Sequence, residues 1–104
     1  MTVDTIAIKD GNIKLIEQFL SSSEPVVIIR QDTSLEAINY PFEQLTGFPS
    51  KELLGSKAPY PWWTEETLIK NSNTLAKIIA GDTGSYFELY QKKNGNQFYA
   101  EVDT

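Results

Sequence analysis

The hydrophobic pattern of the first 40 residues predicts one helix and a pair of strands. Apolar residues recur at helical spacing over residues 13–20, which indicates an amphipathic helix. A continuous apolar run at residues 24–30 indicates a buried strand, and residues 35–39 predict a second strand that pairs with it antiparallel across a short turn. Residues 2–9 are rich in β-branched side chains and fit a strand or an unstructured leader equally well.

Two short apolar segments follow, and each is ended by a glycine. A helix can begin at Pro41, whose missing N–H needs no partner in a first turn, and Gly47 can end it in a left-handed conformation. Phe42 and Leu45 share one face of this helix. Residues 50–55 predict a second, equally short helix. Isolated helices of this length are unstable in water, so both are expected to pack against a sheet.

The segment APYPWW, residues 58–63, combines two prolines with three aromatic rings and is predicted to be irregular. Thr64 can then cap a longer helix, whose apolar stripe continues to residue 79. Trp62 and Trp63 could stack on a planar ligand, but large aromatic side chains more often pack in the core. We therefore expect both to contribute mainly to the core.

The pair Asn94 and Gly95 stands between two alternating runs and predicts a β-hairpin with a two-residue turn. In that register Lys93 lies opposite Asn96. The side chains then predicted on the core side are Phe87, Leu89, Gln91, Phe98, Ala100 and Val102. Those predicted on the outer side are Tyr86, Glu88, Tyr90, Tyr99 and Glu101. The outer side would carry two opposed carboxylates and enough aromatic area to suggest a covering helix or a second chain.

Composition narrows the chemistry further. With 104 residues the chain is sized for one domain, and its net charge of −5 argues against binding to nucleic acid or to an anionic membrane. It contains no cysteine and no histidine, which excludes disulfides, thiolate nucleophiles, Ser-His pairs and Cys/His zinc sites. The adjacent Glu65 and Glu66 point in different directions on a helix and do not form a catalytic pair. We expect no catalytic residues and no metal, and hence no enzyme.

No apolar run is long enough to cross a bilayer, and the N-terminus lacks the pattern of a signal peptide. The sequence therefore predicts a soluble, cytoplasmic protein that makes no membrane contact.

The order of these elements resembles that of PAS domains, the sensory modules of bacterial signalling proteins. The likeness runs from Pro25 to Val102. Its motifs are an asparagine that ends the second strand, two glycine-terminated helices, and a final hairpin with two glutamates. In this sequence they correspond to Asn39, residues 45–47, residues 52–55, Glu88, Asn94, Gly95 and Glu101. The resemblance implies an α+β fold, in which short helices lie across one face of an antiparallel sheet and an amphipathic N-terminal helix flanks it.

PAS sheets have a fifth strand at their centre, between the first strand and the last hairpin. This chain ends at Thr104, where the fourth strand would end. The resemblance therefore divides the chain into a leader and flanking helix, residues 1–23, and a PAS domain without its final strand, residues 24–104. The simpler expectation is that the missing strand lies in a continuation of the chain. The alternative is that residues 3–9 insert into the gap, in their own chain or in a partner.

The resemblance also implies a function. The preferred hypothesis is a signal-input module that senses a small molecule or relays a conformational change to an output domain of histidine kinase or diguanylate cyclase type, as in a two-component system. The alternative is a ligand-free homodimerisation module. Family members that attach flavin covalently use a cysteine, and those that bind haem mostly use a histidine. Because the chain has neither, we expect no covalent flavin and no His-ligated haem, although an unknown small molecule remains compatible with the sequence.

Two sets of residues follow from these hypotheses. The residues predicted to line a ligand pocket are Val27, Ile29, Ile38, Phe42, Leu45, Trp62, Ile78, Leu89 and Phe98. Those predicted to form a homodimer interface are Ile13, Ile16, Phe19, Leu20, Tyr86, Tyr90 and Tyr99.

Overall fold

The computed structural model describes residues 1–8 and 13–104, and of residues 13–15 the backbone only. The chain forms an α+β fold, as predicted. Its elements in chain order are β1 (Thr2–Ile8), α1 (Ile13–Leu20), β2 (Val26–Arg30), β3 (Leu35–Ile38), α2 (Tyr40–Thr46), α3 (Ser50–Leu53), a 3-10 turn (Glu65–Thr67), α4 (Leu68–Ile79), β4 (Ser85–Gln91) and β5 (Gln97–Asp103).

The five strands form one sheet in the order β3-β2-β1-β5-β4, with β1 at the centre. β1 runs parallel to both of its neighbours, whereas β2 pairs with β3 and β4 with β5 antiparallel. The expectation of a wholly antiparallel sheet is therefore wrong for the central strand. Residues 2–8, which we assigned to a leader outside the domain, complete the sheet within their own chain.

Hydrogen bonds tie β1 to both sides of the sheet. The Asp4 N–H donates to the Pro25 carbonyl at 2.9 Å, and the Glu101 N–H donates to the Met1 carbonyl at 2.7 Å. Without β1, the facing edges of β2 and β5 would present unpaired backbone groups in the middle of the sheet, where they cost free energy. Val3 is fully buried on the core side of β1, so the strand also contributes to the core.

The register of the final hairpin differs by one residue from the prediction. Tyr90 pairs with Phe98 and Glu88 with Ala100, because the loop closes between Lys92 and Asn96 and leaves three residues at its tip. The N–H of Lys93 donates to the Thr46 carbonyl at 2.8 Å, so it does not join the ladder. A shift of one residue exchanges the two faces of a strand.

The exchanged faces correct several predictions. Glu88 and Tyr90 are buried on the core side, together with Ala100 and Val102, which were predicted there, while Phe87 and Leu89 belong to the outer face. Glu101 lies opposite Phe87, so the predicted pair of opposed carboxylates does not exist.

The helices enclose the core against one face of the sheet. α2 begins at Tyr40, one residue before the predicted start at Pro41, and is capped by Asn39, and Gly47 ends it with φ at 80° in the left-handed region. The helix predicted from Thr64 starts instead as a 3-10 turn and becomes α4 at Leu68. α1 contacts β2 and β3.

Candidate functional site

A small internal cavity lies between the core face of the sheet, helix α4 and the aromatic segment at residues 58–63. We call it the α4 cavity. Its lining residues are Thr5, Val27, Tyr60, Trp62, Trp63, Asn71, Leu75, Ile78, Glu88, Tyr90 and Val102. The space open to the centres of water-sized molecules is about 20 Å³, which is room for about one water molecule. The cavity is therefore small in this conformation, and its polar lining atoms decide what can occupy it.

Glu88 brings a carboxyl group to this cavity because the hairpin register turns its side chain inward. The side chain is 4% exposed, and its Oε1 accepts a hydrogen bond from the Tyr90 hydroxyl at 2.6 Å. Burial raises the pKa of Glu88, while the bond from Tyr90 and the charge of Lys70 act in the opposite direction. Burial and the neighbouring Glu88 carboxyl hold the pKa of Tyr90 well above its ordinary value. The pair thus places one titratable carboxyl beside a phenol that stays neutral.

Asn71 contributes a second polar group, from the first turn of α4. Its Nδ2 donates to the Thr67 hydroxyl at 3.2 Å, and the residue is 0% exposed. Its Oδ1 is buried and has no hydrogen-bond partner among the described residues. Buried polar atoms in folded proteins are nearly always paired, and an unpaired one costs about 1–3 kcal/mol. The orphaned oxygen faces a cavity in which a small hydrogen-bond donor could satisfy it.

Aromatic rings form one wall of the cavity. Trp62 stacks on Tyr60 with ring centroids 4.8 Å apart and meets the edge of Phe42 at 4.9 Å. The Tyr60 hydroxyl donates to the Thr33 carbonyl at 2.6 Å, which anchors the segment to the turn after β2. Burial raises the pKa of Tyr60 well above its ordinary range. Trp62 therefore packs in the core, as expected, and also lines the cavity.

Comparison with known proteins was informative only at the level of structure. No family model matches the sequence, and no curated protein matches it either. Among solved structures, an RNA-binding light-oxygen-voltage receptor superimposes on 85% of this chain with a TM-score of 0.68 and 22% identity. The PAS domain of an HTR-like protein from Haloarcula marismortui superimposes on 85% with a TM-score of 0.62 and 17% identity. The chain has a PAS fold.

A third structure, a fungal LOV domain photoreceptor, matches 65% of the chain with a TM-score of 0.52 and 22% identity. The chain spans 26% of the length of the light-oxygen-voltage receptor, 76% of the archaeal PAS domain chain and 48% of the fungal chain. Identities at this level establish only the fold. The ligand and the partners of this chain have to be inferred from its own residues.

The PAS fold gathers only some of the residues predicted to line a pocket. Val27, Trp62 and Ile78 line the α4 cavity. The adjoining core contains Ile29, Ile38 and Phe42, with Leu45 and Phe98 packed against it. Leu89 lies on the outer face of β4, so its assignment to the pocket is wrong. The pocket prediction missed Thr5, Tyr60, Trp63, Asn71, Leu75, Glu88, Tyr90 and Val102. Of these, Glu88 and Tyr90 would have followed from the correct hairpin register.

The residues predicted to form a dimer interface include both buried and exposed side chains. Tyr90 is buried on the core side and Tyr86 packs against the core, so neither belongs to the outer face. Tyr99 is on that face with 73% of its surface exposed, and Phe87, which was not predicted there, is 65% exposed. Ile16, Phe19 and Leu20 on α1 are half-buried. The side chain of Ile13 lies outside the described residues.

Two further features bear on the classes of function considered above. Within residues 1–8 and 13–104, no group of three or more acidic side chains is placed to hold a metal ion. Across the same part of the chain, no helix has the length and apolar character needed to cross a membrane.

Proposed function

We propose that this chain is a sensory, signal-input module of a bacterial signalling protein. In this proposal a small molecule enters the α4 cavity, or a neighbouring domain changes conformation, and the change is relayed to an output domain of histidine kinase or diguanylate cyclase type in the cytoplasm. The observation that carries the proposal is the internal cavity in a PAS fold, with the buried and unpaired Asn71 Oδ1 in its wall. A polar cavity of this size can hold a water molecule, which a ligand of similar size can displace.

The arrangement of the cavity wall supports relay as well as binding. Thr5 on β1, Asn71 on α4 and Glu88 on β4 come from three separate elements. A ligand that contacts all three would shift their relative positions, and β1 lies at the centre of the sheet. Because packed elements move against one another in small discrete steps, occupancy of the cavity can be converted into a displacement at the surface.

The experiment that tests this proposal is native mass spectrometry of freshly purified protein, followed by amide NMR with a set of small molecules. We expect a retained ligand, or added ligands that shift amides of α4 and β4. The variant Leu75→Phe should abolish these shifts because it fills the cavity, whereas Ala76→Val, at the exposed neighbouring position, should preserve them. If no compound binds the wild type in the α4 cavity, the ligand-sensing part of the proposal is wrong.

A ligand-free homodimerisation module is the second candidate. It is favoured by the exposed aromatic rings of Phe87 and Tyr99 on the outer face and by the half-buried apolar residues of α1. Symmetric dimers are the commonest closed assemblies, so a second copy is the occupant we expect on this face. The double variant Ile16→Glu and Leu20→Glu should convert a dimer to a monomer in light scattering. A wild-type protein that is monomeric at high concentration would rule this candidate out.

A further inference from the structure

The polar groups of the α4 cavity are unbalanced in favour of hydrogen-bond acceptors. Asn71 presents Oδ1 without a partner, since its Nδ2 is engaged by Thr67. Glu88 presents a carboxyl group that, when ionised, can only accept hydrogen bonds, and Tyr90 donates to one of its oxygens. An occupant that donates to both Asn71 Oδ1 and the Glu88 carboxyl group must carry more than one donor.

The charge in the cavity wall is unbalanced as well. Among the described lining residues Glu88 is the one carboxylate, and none of them is lysine or arginine. Lys70 lies on α4, immediately before Asn71, and its Nζ donates to the Phe87 carbonyl at 2.7 Å in an exposed position. The charge of Lys70 and the bond from Tyr90 act to lower the pKa of Glu88, yet burial outweighs them and the pKa is raised, so the carboxylate form is incompletely compensated. A cation inside the cavity would relieve it.

The remaining wall and the size of the cavity restrict the cation. Tyr60, Trp62 and Trp63 line the cavity, and because Tyr60 and Trp62 are stacked on each other, each can offer at most one ring face to a cation that has lost its water shell. The room in the cavity corresponds to about one water molecule, about 20 Å³ for the molecule's centre. Ammonium is close to water in size and has an N–H donor in each tetrahedral direction. Potassium has no N–H donors to direct at Asn71 and Glu88.

We propose that the α4 cavity binds ammonium, a small N–H-rich cation, which donates to Asn71 Oδ1 and to the Glu88 carboxylate against the aromatic wall. This assignment rests on the proposed sensory function and specifies the chemical class of its ligand.

Binding of this cation is linked to the ionisation of Glu88. The cation selects the carboxylate form, so affinity should rise with pH through the folded-state pKa of Glu88, and binding below that pKa should release a proton. The other titratable or charged groups facing Glu88 are Tyr90 on β4, Tyr60 in the aromatic segment and Lys70 on α4. The pKa values of both tyrosines are raised, so they remain neutral over this range.

The test uses the full chain, titrated with ammonium chloride and with methylammonium chloride. Potassium chloride and tetramethylammonium chloride serve as controls at equal ionic strength. Trp62 and Trp63 are the chain's two tryptophans and both line the cavity, so their fluorescence reports on its contents. We expect a saturable fluorescence change and a higher thermal unfolding midpoint with ammonium, and no saturable change with either control salt. A response to methylammonium extends the site to primary amines, whereas a response to ammonium alone fits the one-water size of the cavity.

Variants separate specific binding from a salt effect. Glu88→Gln keeps the shape of the side chain and removes its charge, and it should weaken ammonium binding roughly 30-fold or more. Asn71→Leu removes the orphaned oxygen and should also weaken binding, whereas Glu65→Gln, an exposed acidic residue outside the cavity, should leave it unchanged. If either cavity variant fails to fold, ¹⁵N-ammonium with the wild-type protein decides the matter, because buried ammonium protons should show contacts to the indole protons.

Several results would overturn the assignment. An equal response to potassium, an unchanged response in Glu88→Gln, or no saturable response at all would mean that the cavity holds a water molecule only. If neutral molecules then still shifted the amides of α4 and β4, the sensory proposal would stand with a different ligand class. If no compound of any class bound the wild type, the ammonium assignment and the ligand-sensing part of the proposed function would both be wrong.

Discussion

The side chain of Asn39 holds together the start of β2 and the first turn of α2, and removing it gives a sharp test of the fold. Asn39 is buried, and its Oδ1 accepts hydrogen bonds from the N–H groups of Val26 at 2.8 Å and Phe42 at 3.2 Å. Its Nδ2 donates to the Glu24 carbonyl at 2.7 Å. One amide group therefore satisfies two strand-end backbone groups and caps a helix.

The variant Asn39→Ala should lower the free energy of unfolding by about 2–4 kcal/mol. Loss of a helix cap costs about 1 kcal/mol. The buried Val26 N–H would also be left without a partner, at about 1–3 kcal/mol. Asn39→Asp should cost less, because its carboxylate retains both acceptor bonds and loses only the donor to the Glu24 carbonyl.

Urea unfolding followed by tryptophan fluorescence measures this change, since the slope against denaturant also shows whether the unfolded state is altered. Gln44→Ala is the matched control, because Gln44 is exposed on the same helix and should change the free energy by no more than about 0.5 kcal/mol. If Asn39→Ala were no more destabilising than Gln44→Ala, the bonds described here would not contribute to stability as we infer.

Two further predictions concern the cavity and the central strand. Burial raises the pKa of Glu88 above its ordinary 4.5, so the folded chain holds this proton more tightly than the unfolded chain. Stability should therefore fall as pH rises from 4.5 to the folded pKa and level off above it, and urea titrations of Glu88→Gln across this range should lack that fall. Val3→Ala should cost about 1–3 kcal/mol by the same assay because Val3 is fully buried in β1, and a cost equal to that of Thr2→Ala would contradict the central position of the strand.

Local sequence patterns predicted the elements whose formation depends on neighbouring residues. The apolar run of β2 and the sequence around α2 indicated these elements because the relevant physics is short-range: proline fits a first turn, and glycine tolerates the left-handed conformation that ends a helix. The motif containing Asn39 followed from the resemblance to PAS domains. These elements account for the predicted fold class and for the pocket residues Val27 and Ile38 being buried.

The hairpin register could not be obtained from the same local rules. Asn94 and Gly95 are typical of a two-residue turn, and the alternating runs on either side fit two registers nearly equally. The structure selects the other register with a tertiary contact, the bond from the Lys93 N–H to the Thr46 carbonyl at the end of α2. A shift of one residue exchanges the faces of a strand. The prediction did not include this contact and therefore placed Leu89, Glu88 and Tyr90 on the wrong faces of β4.

The position of β1 is a second case in which the rest of the fold decides. The composition of residues 2–9 is compatible with a strand, but pairing needs partners, and those are the facing edges of β2 and β5, which come together only in the folded sheet. In addition, a parallel strand is joined to its neighbours by long connections, so no short turn motif in the sequence indicates the pairing. Sequence alone therefore left two alternatives open, and the structure has chosen one.

The hairpin register and the insertion of β1 both depend on distant parts of the chain, and together they determine which polar side chains line the cavity. The hairpin register brings Glu88 and Tyr90 to the core face, and insertion of β1 brings Thr5 beside them. Thr5 and Val27 are partners across the β1–β2 ladder, and both line the cavity. The position of the central strand and the shape of the cavity consequently cannot change independently. In this chain, then, the strand that completes the sheet is also the element through which an occupant of the cavity would be detected elsewhere in the molecule.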